Sequence, residues 1–183
     1  TNGQPASPTD DSISNDSIAN EEITTTTKTT TSDNVAIASP GEAMPSGEVE
    51  TRYPDGVIFN ELLPSPEGED ATEEWIEIFN KNNFEINLSG WQVQDTLGKV
   101  TNYRFPDGTK IGPRGFLIVK RQESKIVLNN DGDTLKLLNP GGEETNIVTF
   151  EKALLGKSYS LINDEWTWTS VLTPGKQNAI PTA

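Results

Sequence analysis

From Val57 onward, apolar and polar residues trade places in short runs rather than in helical stripes. In Glu74-Trp75-Ile76-Glu77-Ile78-Phe79-Asn80 acidic and apolar side chains alternate, the pattern of a strand with one face toward water and one toward a core. Similar runs predict strands at 57–63, 74–80, 90–95, 101–105, 115–120, 125–128, 133–138, 145–150, 157–162 and 166–168. Gly, Pro, Asn and Asp punctuate them. Leu88-Ser89-Gly90-Trp91, Asp107-Gly108, Asn130-Asp131-Gly132-Asp133 and Asn139-Pro140-Gly141-Gly142 read as turns. No window keeps a 3.6-residue period for three turns, and the longest helix expected is one turn near 151–155. Eight to ten strands in the 131 residues from 53 to 183 predict an all-β fold, a two-sheet β-sandwich.

Residues 1–52 follow a different pattern. They contain no Trp, Tyr or Phe, whereas all 13 aromatic residues lie in 53–183. A segment this poor in large apolar side chains does not offset its own ordering entropy, so 1–52 reads as a low-complexity Thr/Ser-rich acidic tail and 53–183 as the folded domain. Within the tail, Ser-Ile-Ser-Asn-Asp is echoed by Ser-Ile-Ala-Asn-Glu, too few copies for a repeat fold. The run at 24–32, which includes Thr24, Thr25, Thr26 and Thr27, is β-branched almost throughout and favours extended backbone. Val35 and Ile37 mark a second short apolar patch. Such segments serve either as a stiff linker or as a strand lent to another sheet.

The net charge of −14 divides evenly: nine acids and two bases before residue 53, 19 acids and 12 bases after it. This argues against sequence-independent binding to nucleic acid or anionic lipid, which needs clustered cations. Arg114, Lys120, Arg121 and Lys125 form the one basic cluster, best read as a solvated strand edge blunted against pairing. With no cysteine there are no disulfides or thiolate metal sites, and no run of about 20 apolar residues is present to span a membrane. The chain opens on Thr rather than Met, as a processed secretory protein or an excised fragment would.

Several of these runs, in this order, resemble a known family. The segments 57–64, 74–80 and 86–91 are similar to the opening strands of a lamin tail domain. Phe105-Pro106, Ile111-Gly112-Pro113-Arg114-Gly115, Leu128 with Asp131-Gly132-Asp133, and Leu135-Lys136-Leu137 follow in register. The closing Thr173-Pro174-Gly175-Lys176-Gln177-Asn178 is similar to the family's C-terminal signature, so the resemblance runs over about residues 55–180. It implies an immunoglobulin-like sandwich with no catalytic residues to carry over. The family occurs in nuclear lamins behind a coiled-coil rod, and in secreted or surface-attached prokaryotic proteins, some beside hydrolase domains. Nothing upstream here has heptads, which favours the prokaryotic secreted type.

The candidate chemistry is sparse. Without His or Cys, catalysis would fall to hydroxyls, carboxylates, Lys and Tyr. Glu74 and Glu77 are the nearest thing to a carboxylate pair, yet their odd spacing sends them to opposite faces of a regular strand, and solvated acids are the simpler reading. Two acidic loops offer the oxygens calcium takes: Glu67, Glu69 and Asp70 with Glu73, and Asp131 and Asp133 with Asn129 and Asn130. Asx turns account for the same residues without metal, and the resemblance favours a turn in the second loop. Trp75 and Trp91 read as core. Trp166 and Trp168 share a parity and are either late-strand core or an exposed contact surface.

The chain is therefore expected to be a non-enzyme with no cofactor and no membrane span, located outside the cell or on its surface. Its expected partner is itself, as a homo-oligomer or polymer joined by strand addition from the N-terminal segment, or another surface protein. The alternative is a cell-surface or secreted binding or targeting module on a flexible Thr-rich linker, on its own or accessory to a hydrolase. In either case the interaction candidates are Thr24–Thr27, Val35, Ile37, Trp166 and Trp168.

Overall fold

The computed structural model describes residues 52–98 and 100–182. Eleven strands and two single-turn helices follow one another as β1 (Val57–Leu63), α1 (Asp70–Glu73), β2 (Trp75–Asn80), β3 (Ile86–Asn87), β4 (Gln92–Asp95), β5 (Thr101–Arg104), β6 (Lys110–Ile111), β7 (Phe116–Lys120), α2 (Arg121–Ser124), β8 (Asp133–Leu138), β9 (Glu144–Phe150), β10 (Ser158–Ile162) and β11 (Glu165–Thr169). They form a five-stranded sheet ordered β11-β10-β1-β2-β7, a four-stranded sheet ordered β5-β4-β8-β9, and a two-stranded ladder β3-β6. The pairs are antiparallel, and the result is the expected immunoglobulin-like β-sandwich.

One apolar cluster joins the two large sheets. Phe59, Leu62, Ile76 and Ile78 from the first pack in it with Val93, Leu135, Leu137, Val148 and Phe150 from the second, around the buried Trp91. A β-bulge between Phe59 and Glu61 makes Asn60 an extra residue opposite β2. It resets the two-residue alternation, so that both Phe59 and Leu62 face the core. The turns at 88–91, 106–109, 129–132 and 139–142 are each closed by a backbone bond from the fourth residue to the first.

Several expectations are corrected. The segment 125–128 is extended but unpaired: Lys125 caps α2 in the left-handed conformation, and the Leu128 amide donates to the Glu74 side chain instead of to a strand. The single helical turns lie at 70–73 and 121–124, and residues 151–155 turn without one. The alternation in β2 does not mark a water-facing sheet face, since Glu77 is fully buried and Glu74 nearly so. Trp75 is buried yet absent from the inter-sheet cluster, because it shares the parity of Glu77 on the outer face. The C-terminal segment after β11 lies over that face, which no two-residue period could announce. Among the described residues, no helix is long and apolar enough to cross a membrane.

Candidate functional site

The acidic residues are pins rather than a reaction centre. Glu61 and Glu77 are direct cross-strand partners on β1 and β2. The Glu61 carboxylate accepts the Thr173 amide (3.2 Å), the Thr173 hydroxyl (2.8 Å) and the Ser158 hydroxyl (2.5 Å). The Glu77 carboxylate accepts the Asn60 side-chain amide (2.7 Å) and the Gly175 backbone N–H. Burial pushes the Glu77 carboxyl up from its ordinary value, the Gly175 and Asn60 donors pull it back, and the neighbouring Glu61 charge adds to the rise. Asn178 completes the fastening by donating to the Asn60 and Leu161 carbonyls.

Glu74 is held differently. Its carboxylate receives Arg121 at 2.9 Å and the Leu128 amide at 3.2 Å, stapling β2 to α2 and to the segment after it. Burial raises its pKa to about 7 despite both partners. Glu74 and Glu77 are thus separate structural acids, neither solvated nor paired with each other. Every buried side-chain N or O atom among the described residues has a hydrogen-bond partner.

The calcium candidates are not gathered. Asp133 is fully buried, and its two oxygens are taken by the amides of Thr134 (2.7 Å) and Asn129 (2.9 Å) and by the Asn129 side chain (3.1 Å), while Asp131 stays exposed. The Asp133 side chain thus closes the 129–133 loop by itself, with no metal needed to hold its oxygens. In the first loop Glu67 and Glu69 are exposed and Asp70 half-buried; Glu67 lies against Gly156, and Glu73 folds over Gly68. Among the described residues, no three acidic side chains converge at metal-ligand spacing. Asp95, a buried neighbour of Asp133, has its carboxyl raised to about 6, first by burial and then, against the opposing Leu97 amide, by the Asp133 charge.

Nor does the basic cluster form one patch. Arg114 precedes β7 while Lys120 ends it, Arg121 turns in to Glu74, and Lys125 donates to the Gln122 carbonyl. The strand itself is an edge, as expected.

The aromatic candidates are brought together. Trp166 and Trp168 are half-buried, and they pack with Tyr159 at ring-centre distances of 5.1 and 4.9 Å; Phe150 meets Trp168 edge-on at 5.8 Å. The cause is a mismatch between the sheets. Asn146 of β9 accepts the Phe59 amide, which sets β9 opposite β1. Beyond β1 the larger sheet continues with β10 and β11, while the smaller sheet stops at β9. Tyr159, Trp166 and Trp168 line an open groove of about 590 Å³ with residues 149–152. Along its border β9 pairs with β8 alone, and it exposes Ile147 and Thr149. Parity located the tryptophans in the sequence; the mismatch that leaves them half-covered is a property of strand order, which no local pattern encodes. Thr24–Thr27, Val35 and Ile37 lie outside the described residues.

The model of the family described as Lamin Tail Domain matches residues 50–152. That span takes in β1 through β9 and ends before β10 and β11, which carry Tyr159, Trp166 and Trp168. No curated protein matches the chain.

Proposed function

The chain belongs to the lamin tail domain family, and from that premise we propose that it is a non-enzymatic structural subunit, working outside the cell or on its surface, that self-associates by strand addition. A family of immunoglobulin-like sandwiches without catalytic residues supports the first part. The observation that carries the second is the open border of β9 beside Tyr159, Trp166 and Trp168. An extended segment laid along β9 would pair its backbone with the free edge and cover the three rings at once. The donor we assign is the β-branched run with Thr24–Thr27, or the patch with Val35 and Ile37, from a neighbouring copy. Donation in one direction is heterologous and extends into open chains.

The test is the solution mass of the 1–183 chain beside one starting at Tyr53, with negative-stain images of both. Oligomers or filaments from the full chain alone support the assembly reading. Monomers from both sink it and leave a binding or targeting module whose tail is a linker and whose contact surface is the same aromatic groove.

A further inference from the structure

A second concavity lies on the opposite face of the larger sheet, where the C-terminal segment leaves the outer side chains of β1, β2 and β7 uncovered. It is a cleft of about 560 Å³, in the range that holds a small organic ligand. Its floor is apolar: Ile58 and Ile162 flank Phe79 and Phe116, which face each other across the β2–β7 pair with rings stacked at 4.7 Å. Its rim carries two cations, Lys81 and Arg114, against the single carboxylate of Asp164. The whole described domain is acidic, so a local excess of positive charge over an aromatic floor runs against its surroundings.

Arg114 makes the cleft more than a surface accident. Its φ is +51°, in the left-handed region where any side chain is disfavoured relative to glycine, and its amide donates to the Asn82 carbonyl at 2.9 Å. Gly112 and Gly115 stand in the same turn, so the chain uses glycine on both sides and places arginine where glycine would be most comfortable. No ion pair among the described residues includes Arg114. Lys81 reaches Asp164 only at 3.9 Å, and the Asp164 side chain is 91% exposed. The amide of Asn178 beside them is already committed to the Asn60 and Leu161 carbonyls, which leaves Lys81 and Arg114 as the charged donors of the cleft, with Asn163 and Gln177 as neutral neighbours.

We propose that this cleft binds a small aromatic carboxylate, its ring on the Phe79–Phe116 floor and its carboxylate held by Arg114 with help from Lys81. A guanidinium gives a carboxylate two parallel donors, and the apolar floor supplies area that a bare inorganic anion cannot use. This site is independent of strand addition at β9.

The test titrates 3-phenylpropionate, and separately its neutral amide, into the full 1–183 chain and follows backbone amide shifts. The acid should shift the amides of 79–81 and 114–116 and bind about tenfold tighter than the amide. Arg114→Gly should weaken the acid about tenfold while raising the melting temperature, because it relieves the left-handed strain; that pairing separates a lost ligand contact from a damaged fold. Arg114→Lys should retain part of the binding. Equal binding of acid and amide, unchanged binding in Arg114→Gly, or no shift at about 10 mM acid would each overturn the proposal.

Discussion

Glu61 and Glu77 face each other across adjacent strands, both fully buried, and each is answered by a backbone N–H of the C-terminal segment rather than by a cation. Two like charges at cross-strand distance repel, so the arrangement holds only while donors surround them. Those donors come from residues 158, 173 and 175 and from the bulge residue Asn60. The last residues of the domain are therefore fastened by its first two strands, and the end of the chain closes the outer sheet face.

Thr173→Val tests this fastening with little change of shape. It keeps the amide bond to Glu61 but deletes the hydroxyl that donates to Glu61 at 2.8 Å. Loss of one hydrogen bond to a buried charged group should destabilise the domain by about 1.5–3 kcal/mol in urea unfolding. An unchanged midpoint would mean that the C-terminal segment contributes little to the fold.

Arg121→Met should reveal the dependence of Glu74 on its cation. At pH 8 the variant leaves a buried carboxylate with only the Leu128 amide, and it should lose about 3 kcal/mol. Glu74 has its pKa raised to about 7 in the fold, so near pH 5 it is protonated and the loss should shrink. A penalty of equal size at both pH values would contradict that protonation.

The same sign governs the wild-type chain. Glu74, Glu77 and Asp95 all have carboxyls raised by burial, so the folded state binds more protons than the unfolded one between the ordinary carboxylate values and the raised ones. Their stabilising contribution is present at about pH 4–5 and is lost as pH rises through about 6–7. Stability should therefore increase on going from pH 8 to pH 5, by about 1–3 kcal/mol. Asp95→Asn should flatten the lower part of that curve and stabilise the domain at pH 7.5 by about 1 kcal/mol, because an amide keeps an acceptor for the Leu97 N–H and removes the charge beside Asp133. Urea unfolding of both chains across the pH range checks each sign.

Much of the sandwich was legible because its signals are local. Alternation located nine of the eleven strands to within a residue or two, and the Gly-containing turns at 88–91 and 139–142 close as their composition demands. Two strands of two residues each, β3 and β6, fall below the length at which a period can be seen. The buried acids were misread for a different reason. Glu77 has the neighbours of a solvated strand acid, and only the return of Gly175 from nearly a hundred residues away removes it from water. Asn60 and Ser158 were missed likewise, since a small polar residue in a strand carries no mark of the long-range partner that buries it. The Tyr159–Trp166 and Tyr159–Trp168 contacts follow from parity on neighbouring strands, whereas the groove they line depends on strand order.

Strand addition at β9 makes a prediction about a single exposed side chain. Ile147 is 46% exposed on β9 and lies outside the hydrophobic core cluster, so Ile147→Lys should leave unfolding stability within about 0.5 kcal/mol of wild type. A lysine in an edge strand nonetheless discourages a second strand from pairing there. If the full chain assembles through this border, the variant should assemble at least about tenfold more weakly. Fluorescence supplies an independent readout, because Trp75 and Trp91 are already buried and acrylamide reaches mainly Trp166 and Trp168. Their quenching should fall when the wild-type chain assembles and stay high in Ile147→Lys. Assembly that survives the substitution with the tryptophans still quenched would move the acceptor away from β9, to β5, β7 or β11, the other borders of the two large sheets.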